Sequence, residues 1–175
     1  FLIQVCVMLL QPLITMYVGQ LMGKVDDEAV QMAGVIFSLA GISGILAAPF
    51  WGNRGQQYGY VRTFCYITLG AGVVNLFQFF TTDVYQFAIV QFIFGLFLAG
   101  AIPNINANLA EVTDKSIRGK AFGLVTSAQM SGGFVGPLLG GALGHVLPTR
   151  LVIICAGIIL IGVSAFTYFT KVKGK

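Results

Sequence analysis

Six stretches of the chain carry no Asp, Glu, Lys or Arg. They are Phe1–Leu21, Ala29–Trp51, Thr63–Thr82, Val84–Leu109, Ala121–Leu143 and Leu151–Thr170. Each is at least as long as the roughly 20 apolar residues that a helix needs to cross the hydrocarbon core of a bilayer. Barrel strands would be about half that length and would alternate strictly in polarity, which these runs do not. A helix also satisfies its own backbone groups where lipid offers no partner. The pattern predicts an all-α membrane protein of six transmembrane helices, over about 1–21, 29–51, 63–82, 84–109, 121–143 and 151–170. The gaps are short, so consecutive helices run antiparallel.

Composition excludes the other broad classes. Of the 175 residues, 57% are hydrophobic and 9% are charged, where a soluble domain carries about 25% charged residues. Mean hydropathy is +0.87. So few charges cannot cover the surface of a soluble fold, and a disordered chain is poor in apolar residues. The net charge is +4, but the basic residues lie in the gaps between apolar runs and do not cluster on one wettable face, so no nucleic-acid partner is expected. Arg54, Arg62, Lys115, Arg118, Lys120, Lys171, Lys173 and Lys175 fall on one side of the predicted bundle, and Lys24 and Arg150 on the other. The positive-inside rule places the richer side, and with it both chain ends, in the cytoplasm of a multi-pass cell-membrane protein. Cys6, Cys65 and Cys155 sit inside apolar runs with no CxxC pairing, and are expected to be buried and inert. No metal or cofactor is expected.

The six helices differ in their polar content. The first, fourth and fifth carry amides and clustered small residues, and polar groups in a span face the bundle interior or a wet cavity. They are expected to be interior, with the third and sixth peripheral and the Gly- and Ala-rich second suited to close packing. In the first helix Gln4, Met8, Gln11 and Thr15 fall on one stripe, beside Pro12. In the fourth, Gln91, Gly95, Leu98 and Ile102 form a similar face, with Phe92, Phe94 and Phe97 around it. These amides either bond to neighbouring helices or line a cavity, and the pattern alone leaves both open. In the fifth helix Gly132, Gly136 and Gly140 recur four apart on one face, which admits a close helix neighbour. Pro137 bends that helix.

The fifth-helix sequence Gly132-Gly-Phe-Val-Gly136-Pro137-Leu-Leu-Gly140-Gly141 reads GxxxGPxxGG. It resembles the antiporter motif of the major facilitator superfamily, best known in drug:proton antiporters. The segment from Gly52 to Arg62 is similar to that superfamily's signature loop, GxxxDRxGRK. Gly52, Gly59 and Arg62 fit it, while Gln56 and Gln57 replace its acid and arginine. The stretch from Gln91 through Pro103, Asn104 and Asn106 to Arg118-Gly119 looks like the fourth helix of a transporter half, with Gln91 where the family often has Arg. The weakened loop and the Lys-rich tail suit the carboxy-terminal half, helices seven to twelve, built from two inverted three-helix repeats. The resemblance implies a secondary transporter that exports drugs or other small molecules by alternating access, coupled to protons. Its partners would be the lipid bilayer, the small-molecule substrate, protons and the amino-terminal six-helix half. It also implies a central cavity between the first and fourth helices. No charged residue lies within any span, so the proton-binding carboxylate is expected in the other half. Phe1 stands inside an apolar run, and the chain is expected to be a fragment of a longer protein.

Two readings from other classes are weighed against this one. Gly41-Ile-Ser43-Gly44 is a GxSG pattern and His145 is the single histidine, the elements of a rhomboid-type intramembrane serine protease. Ser43 lies fourteen residues into a helix entered from the outer side, about 20 Å deep, and His145 sits at the outer end of another. They could not share the hydrogen bond that activates a serine, so no enzyme activity is expected. The remaining alternative is a six-helix scaffold or channel that works as a homo-oligomer.

Overall fold

The computed structural model describes residues 1–24 and 26–172, and Lys173 and Lys175 of the basic tail lie outside the described residues. The described residues form helices α1 (Leu2–Met22), α2 (Asp27–Tyr58), α3 (Tyr60–Phe77), α4 (Val84–Leu98), α5 (Ala101–Val112), α6 (Arg118–Val146) and α7 (Thr149–Thr167). A 3-10 turn at Gln78–Phe80 extends α3, and a π turn at Tyr168–Val172 extends α7. Five helical stretches are long and apolar enough to cross a membrane, with α4 and α5 together making one of them. α6 has 29 residues, ample in length, but its Gly, Ser and Gln dilute its apolarity.

The helix ends follow local chemistry. Gly23 ends α1 in the left-handed conformation, with φ 69°, which glycine adopts without a Cβ penalty. Asp26 caps α2 by accepting from Ala29 N at 3.1 Å, and Asp83 caps α4 by accepting from Tyr85 N at 2.9 Å. The Ala29 bond, together with Lys24, holds the Asp26 carboxyl below the usual carboxylate range. Bonds to Glu28 and Asp26 hold the Lys24 ammonium above its usual value.

Two expectations about the elements change. The segment Gly52–Arg62 is not a loop: α2 continues to Tyr58 and α3 begins at Tyr60. Only Gly59, at φ 90°, breaks the helix there. The third span is not peripheral either. It buries Thr63, Cys65, Ile67, Thr68, Ala71, Gly72 and Asn75, and packs against α2, α4, α5 and α7. Its polar groups explain this: Asn75 Nδ2 donates to Ile153 O of α7 at 2.7 Å, and Ser164 of α7 donates to Cys65 O at 2.7 Å. The sixth span likewise packs on both α3 and α1.

Contacts set the directions of the spans. Gly132, Gly136, Gly140 and Gly144 of α6 meet Gln4, Met8, Leu9 and Leu13 of α1 in the same order, so these helices run parallel. Gly55, Trp51 and Ser43 of α2 meet Asn104, Gly100 and Gly95 of the fourth span, so that pair is parallel too. The Asn75–Ile153 and Cys65–Ser164 pairs make α3 and α7 antiparallel. The core lies around α1, with Leu13, Tyr17 and Val18 fully buried against Ile36, Phe87, Val152 and Leu160.

One end of the bundle is tied together through Thr81. Tyr17 Oη lies 3.2 Å from Thr81 Oγ1, Arg150 donates to Thr81 O at 3.2 Å, and the Arg150 guanidinium sits 5.9 Å from the centre of the Tyr17 ring. These contacts join α1, the turn before α4, and α7. Lys24 lies at the same end. Arg54, Arg62, Lys115, Arg118, Lys120 and Lys171 lie at the other.

Candidate functional site

A cavity of about 260 Å³ lies between α1, α2 and α4. Gln11 of α1, Gln91 and Gly95 of α4, and Leu98 at the end of α4 line it, with Phe37 and Phe94 as aromatic walls. Gln91 is buried and is not a free amide, because its Oε1 accepts from Gln78 Nε2 at 2.7 Å. A buried amide pair of this kind fixes both side chains, since leaving either unpaired in a low-dielectric interior is costly.

The first-helix stripe divides. Gln11 is exposed and faces the cavity. Gln4 and Met8 lie instead over the glycine face of α6: a Cβ at Gly132 would meet Gln4 Cβ at 2.9 Å, and one at Gly136 would meet Met8 Cβ at 2.6 Å. Gln4 also borders a smaller cavity with Gln129 and Ile102. Thr15 is half-buried, one turn beyond Gln11. The fourth-span face divides in the same way, with Gln91, Gly95 and Leu98 in the cavity between α1, α2 and α4 and Ile102 in the smaller one. The reason is geometric. These residues stay within about 60° of one face, but the stripe runs about 16 Å along the axis, so different neighbours meet it at different levels.

Gly95 does more than border the cavity. A Cβ there would collide with Ser43 Oγ, so α2 and α4 touch at this point. Ser43 is fully buried, and its hydroxyl donates to Ala40 O at 2.6 Å. The GxSG serine is thus a packing residue, while His145 is exposed in the last turn of α6.

The glycine motif forms the seam between α6 and α1. Gly132, Gly136 and Gly140 are the buried residues of α6, and Gly140 would place a Cβ 3.1 Å from Pro12 Cγ. Gly144 continues the same face against Leu13, a position that the fourfold spacing signals but the motif does not contain. Among the described residues, no other helix comes within 4 Å of where a side chain at Gly141 would begin, and Pro137 is half-buried beside the seam.

At the basic end, Gly52 is open and Arg62 is exposed. The close contact in this segment is at Gly55, where a Cβ would collide with Asn104 Oδ1 and come within 2.7 Å of Tyr60 Cδ1. Arg54 is stacked on Phe50 and Tyr58, with its guanidinium 5.2 and 5.4 Å from the ring centres. Thr63 Oγ1 donates to Arg54 O at 3.2 Å, across the single-residue turn. Arg118 donates to Ala110 O at 2.7 Å and ties α6 to the end of α5. Of the cysteines, Cys6 and Cys65 are buried and Cys155 is exposed on α7. An apolar run does not say which face of its helix a residue occupies.

A bundle of apolar, membrane-length helices with an amide- and aromatic-lined concavity defines a multi-pass membrane protein. The family described as Major Facilitator Superfamily matches residues 1–175. The chain belongs to that superfamily of transporters. It is 30% identical over 162 residues to the multidrug resistance protein MdtG of Yersinia enterocolitica serotype O:8 / biotype 1B, a match covering 92% of this chain and 39% of that protein. It is 31% identical over 154 residues to MdtG of Escherichia coli O1:K1 / APEC, covering 87% of this chain and 37% of that protein. MdtG of E. coli strain K12 / DH10B matches with the same figures. The chain thus spans about two fifths of the length of the curated relatives it matches.

Proposed function

We propose that this chain is the carboxy-terminal six-helix half of a drug exporter that works by alternating access, with proton entry driving export. The observation that carries the reading is the cavity where Gln11, Gln91 and Gly95 meet between the first, second and fourth spans. Its walls are apolar and aromatic with two amides, a lining that suits many small lipophilic molecules. The multidrug resistance names of the relatives favour the same substrate class.

Packing supports two inverted three-helix repeats. Exchanging spans one, two and three with four, five and six turns the parallel pair one–five into the parallel pair four–two. The antiparallel pair three–six maps onto itself. Such repeats place a substrate site near the membrane midplane, and the halves rock about it. Charge sorting favours the basic end as the cytoplasmic one, with both ends of the segment there. The seam of α6 on α1 would keep these helices moving as one body, while the α2–α3 turn at Gly59 would meet the other half at the cytoplasmic face. The proton-binding carboxylate belongs to that other half.

The test is uptake and release of a cationic dye by the complete transporter in vesicles, with and without an imposed proton gradient. Gradient-dependent export is expected. Gln91→Ala is expected to raise the apparent KM several-fold. Dye movement that ignores the gradient removes proton coupling, and no dye movement removes the export reading.

A further inference from the structure

The fourth span is interrupted at Ala99–Gly100, between α4 and α5. Pro103 is the cause on one side, because it has no N–H to give Ala99 O and its ring crowds that carbonyl. On the other side, Gly100 N donates to Phe97 O at 3.3 Å, three residues back, and not to Leu96 O, four back. Both residues keep right-handed backbone angles, so the interruption is a short tightening of the helix. Tightened stretches of this kind often mark hinges.

The Leu96 carbonyl does not go without a partner. Trp51 Nε1–H of α2 donates to it at 2.7 Å. The indole also lies 5.7 Å from the Phe97 ring, centre to centre. Gly100 makes room for it, since a Cβ at Gly100 would strike Trp51. One turn further on, Asn104 Nδ2 donates to Trp51 O at 3.3 Å and to Gly100 O at 2.8 Å. Two side chains thus clamp the interruption from opposite directions. Leu98, immediately before it, and Ala99, within it, line the cavity between α1, α2 and α4.

We propose that Trp51 is a positioning residue for transport: by bonding the Leu96 carbonyl, its indole N–H holds the fourth span in its broken form and sets the floor of the cavity at Leu98 and Ala99. The proposal rests on the transport reading above for its kinetic consequence, but not for its structural one. Trp51 itself is not among the residues that line the cavity. Its effect passes through the Leu96 carbonyl to the two residues that follow.

The test uses the complete transporter with position 51 changed in two ways. Trp51→Phe keeps a ring against Phe97 and loses the N–H. Incorporation of 3-benzothienylalanine keeps the fused-ring shape and also lacks the N–H. Both are expected to raise KM for the exported dye about fivefold or more. Both are also expected to change, at least threefold, the maleimide labelling rate of Leu98→Cys in a Cys155→Ser background. If 3-benzothienylalanine behaves as the parent while Trp51→Phe does not, ring shape and not the N–H matters, and the proposal is overturned. If both only lower the melting temperature, with KM and labelling unchanged, the bond serves stability alone and the proposal is again overturned. If the parent moves no dye but its Leu98→Cys labelling still depends on the N–H, the transport reading fails and the cavity-floor assignment stands.

Discussion

Gly136 and Gly141 stand five residues apart on α6, and only one of them touches another helix. A side chain at Gly136 would run into Met8 and Leu9 N, in a seam where neither backbone can retreat. Gly136→Leu is expected to destabilise the complete transporter by about 1–3 kcal/mol, the usual cost of overpacking a tight contact. Thermal unfolding in detergent would read this as a lower melting temperature. Gly141→Ala meets open space and replaces a poor helix former with a good one, so its melting temperature is expected to be unchanged or slightly raised. Equal effects of the two substitutions would refute the assignment of the seam. A pH effect belongs at this scale too. Asp26 has a lowered pKa, caused first by the Ala29 N–H and then by Lys24. Its contribution is therefore full above the unfolded carboxylate value of about 3.9 and is lost as pH falls through the lower folded value. Melting curves taken downward from about pH 5 are expected to fall less steeply for Asp26→Asn, and parallel curves would count against the cap.

Polar groups decide how the elements sort. Asn75 and Gln78 stand out in an otherwise apolar third run, and by composition alone that run reads as lipid-facing. Both are fully buried. Each bonds to a different element, Asn75 to α7 and Gln78 to α4. A helix carrying such groups at its packed face cannot be a loose outer member of the bundle. The outer face of α3 is still apolar and exposed at Tyr66, Leu69, Val73 and Phe77, which is the part of the expectation that composition captured. Asn75→Leu is expected to cost about 0.6 kcal/mol, the average measured for one interhelical bond in a membrane protein. Unfolding in mixed detergent micelles would measure it, and a neutral result would mean that the α3–α7 packing does not depend on the bond. The fourth span makes the complementary point. Its apolar run is continuous, but Pro103 and Gly100 divide the helix, and Trp51 makes the division tolerable by occupying a carbonyl that lipid could not satisfy.

At the scale of the molecule, charge is the informative quantity. Among the described residues, six of the basic side chains lie at one end and two at the other. Orientation is therefore testable with two single cysteines in a Cys155→Ser background. Asn53→Cys, at the basic end, is expected to react with an impermeant maleimide only after the cells are opened, and Leu147→Cys, at the other end, in intact cells. The reverse pattern would invert the topology.

Much of the fold was legible from local pattern. The length of each apolar run and the fourfold glycine spacing depend on residues close together in the chain, and helices obey local rules. The lack of charge within the six apolar runs is likewise written in the order of residues, as is the family resemblance carried by the glycine motif. The site was only partly legible. Gln11, Gln91 and Gly95 meet in one cavity, while Gln4 and Met8, on the same stripe, are taken up by the glycine seam. No sequence rule could separate them, because the separation depends on which neighbour arrives at each turn of α1. The same holds for Gly55 under Asn104, for Ser43 against Gly95, and for Trp51 on the Leu96 carbonyl. The amino-acid order by itself determined that the chain forms apolar helices of membrane-crossing length, since solvent preference acts on each run independently. Only the tertiary structure decided which helices touch, which amides face the cavity and what holds the broken fourth span. Those depend on pairs of groups distant in sequence, whose bonds exist only once the helices are side by side.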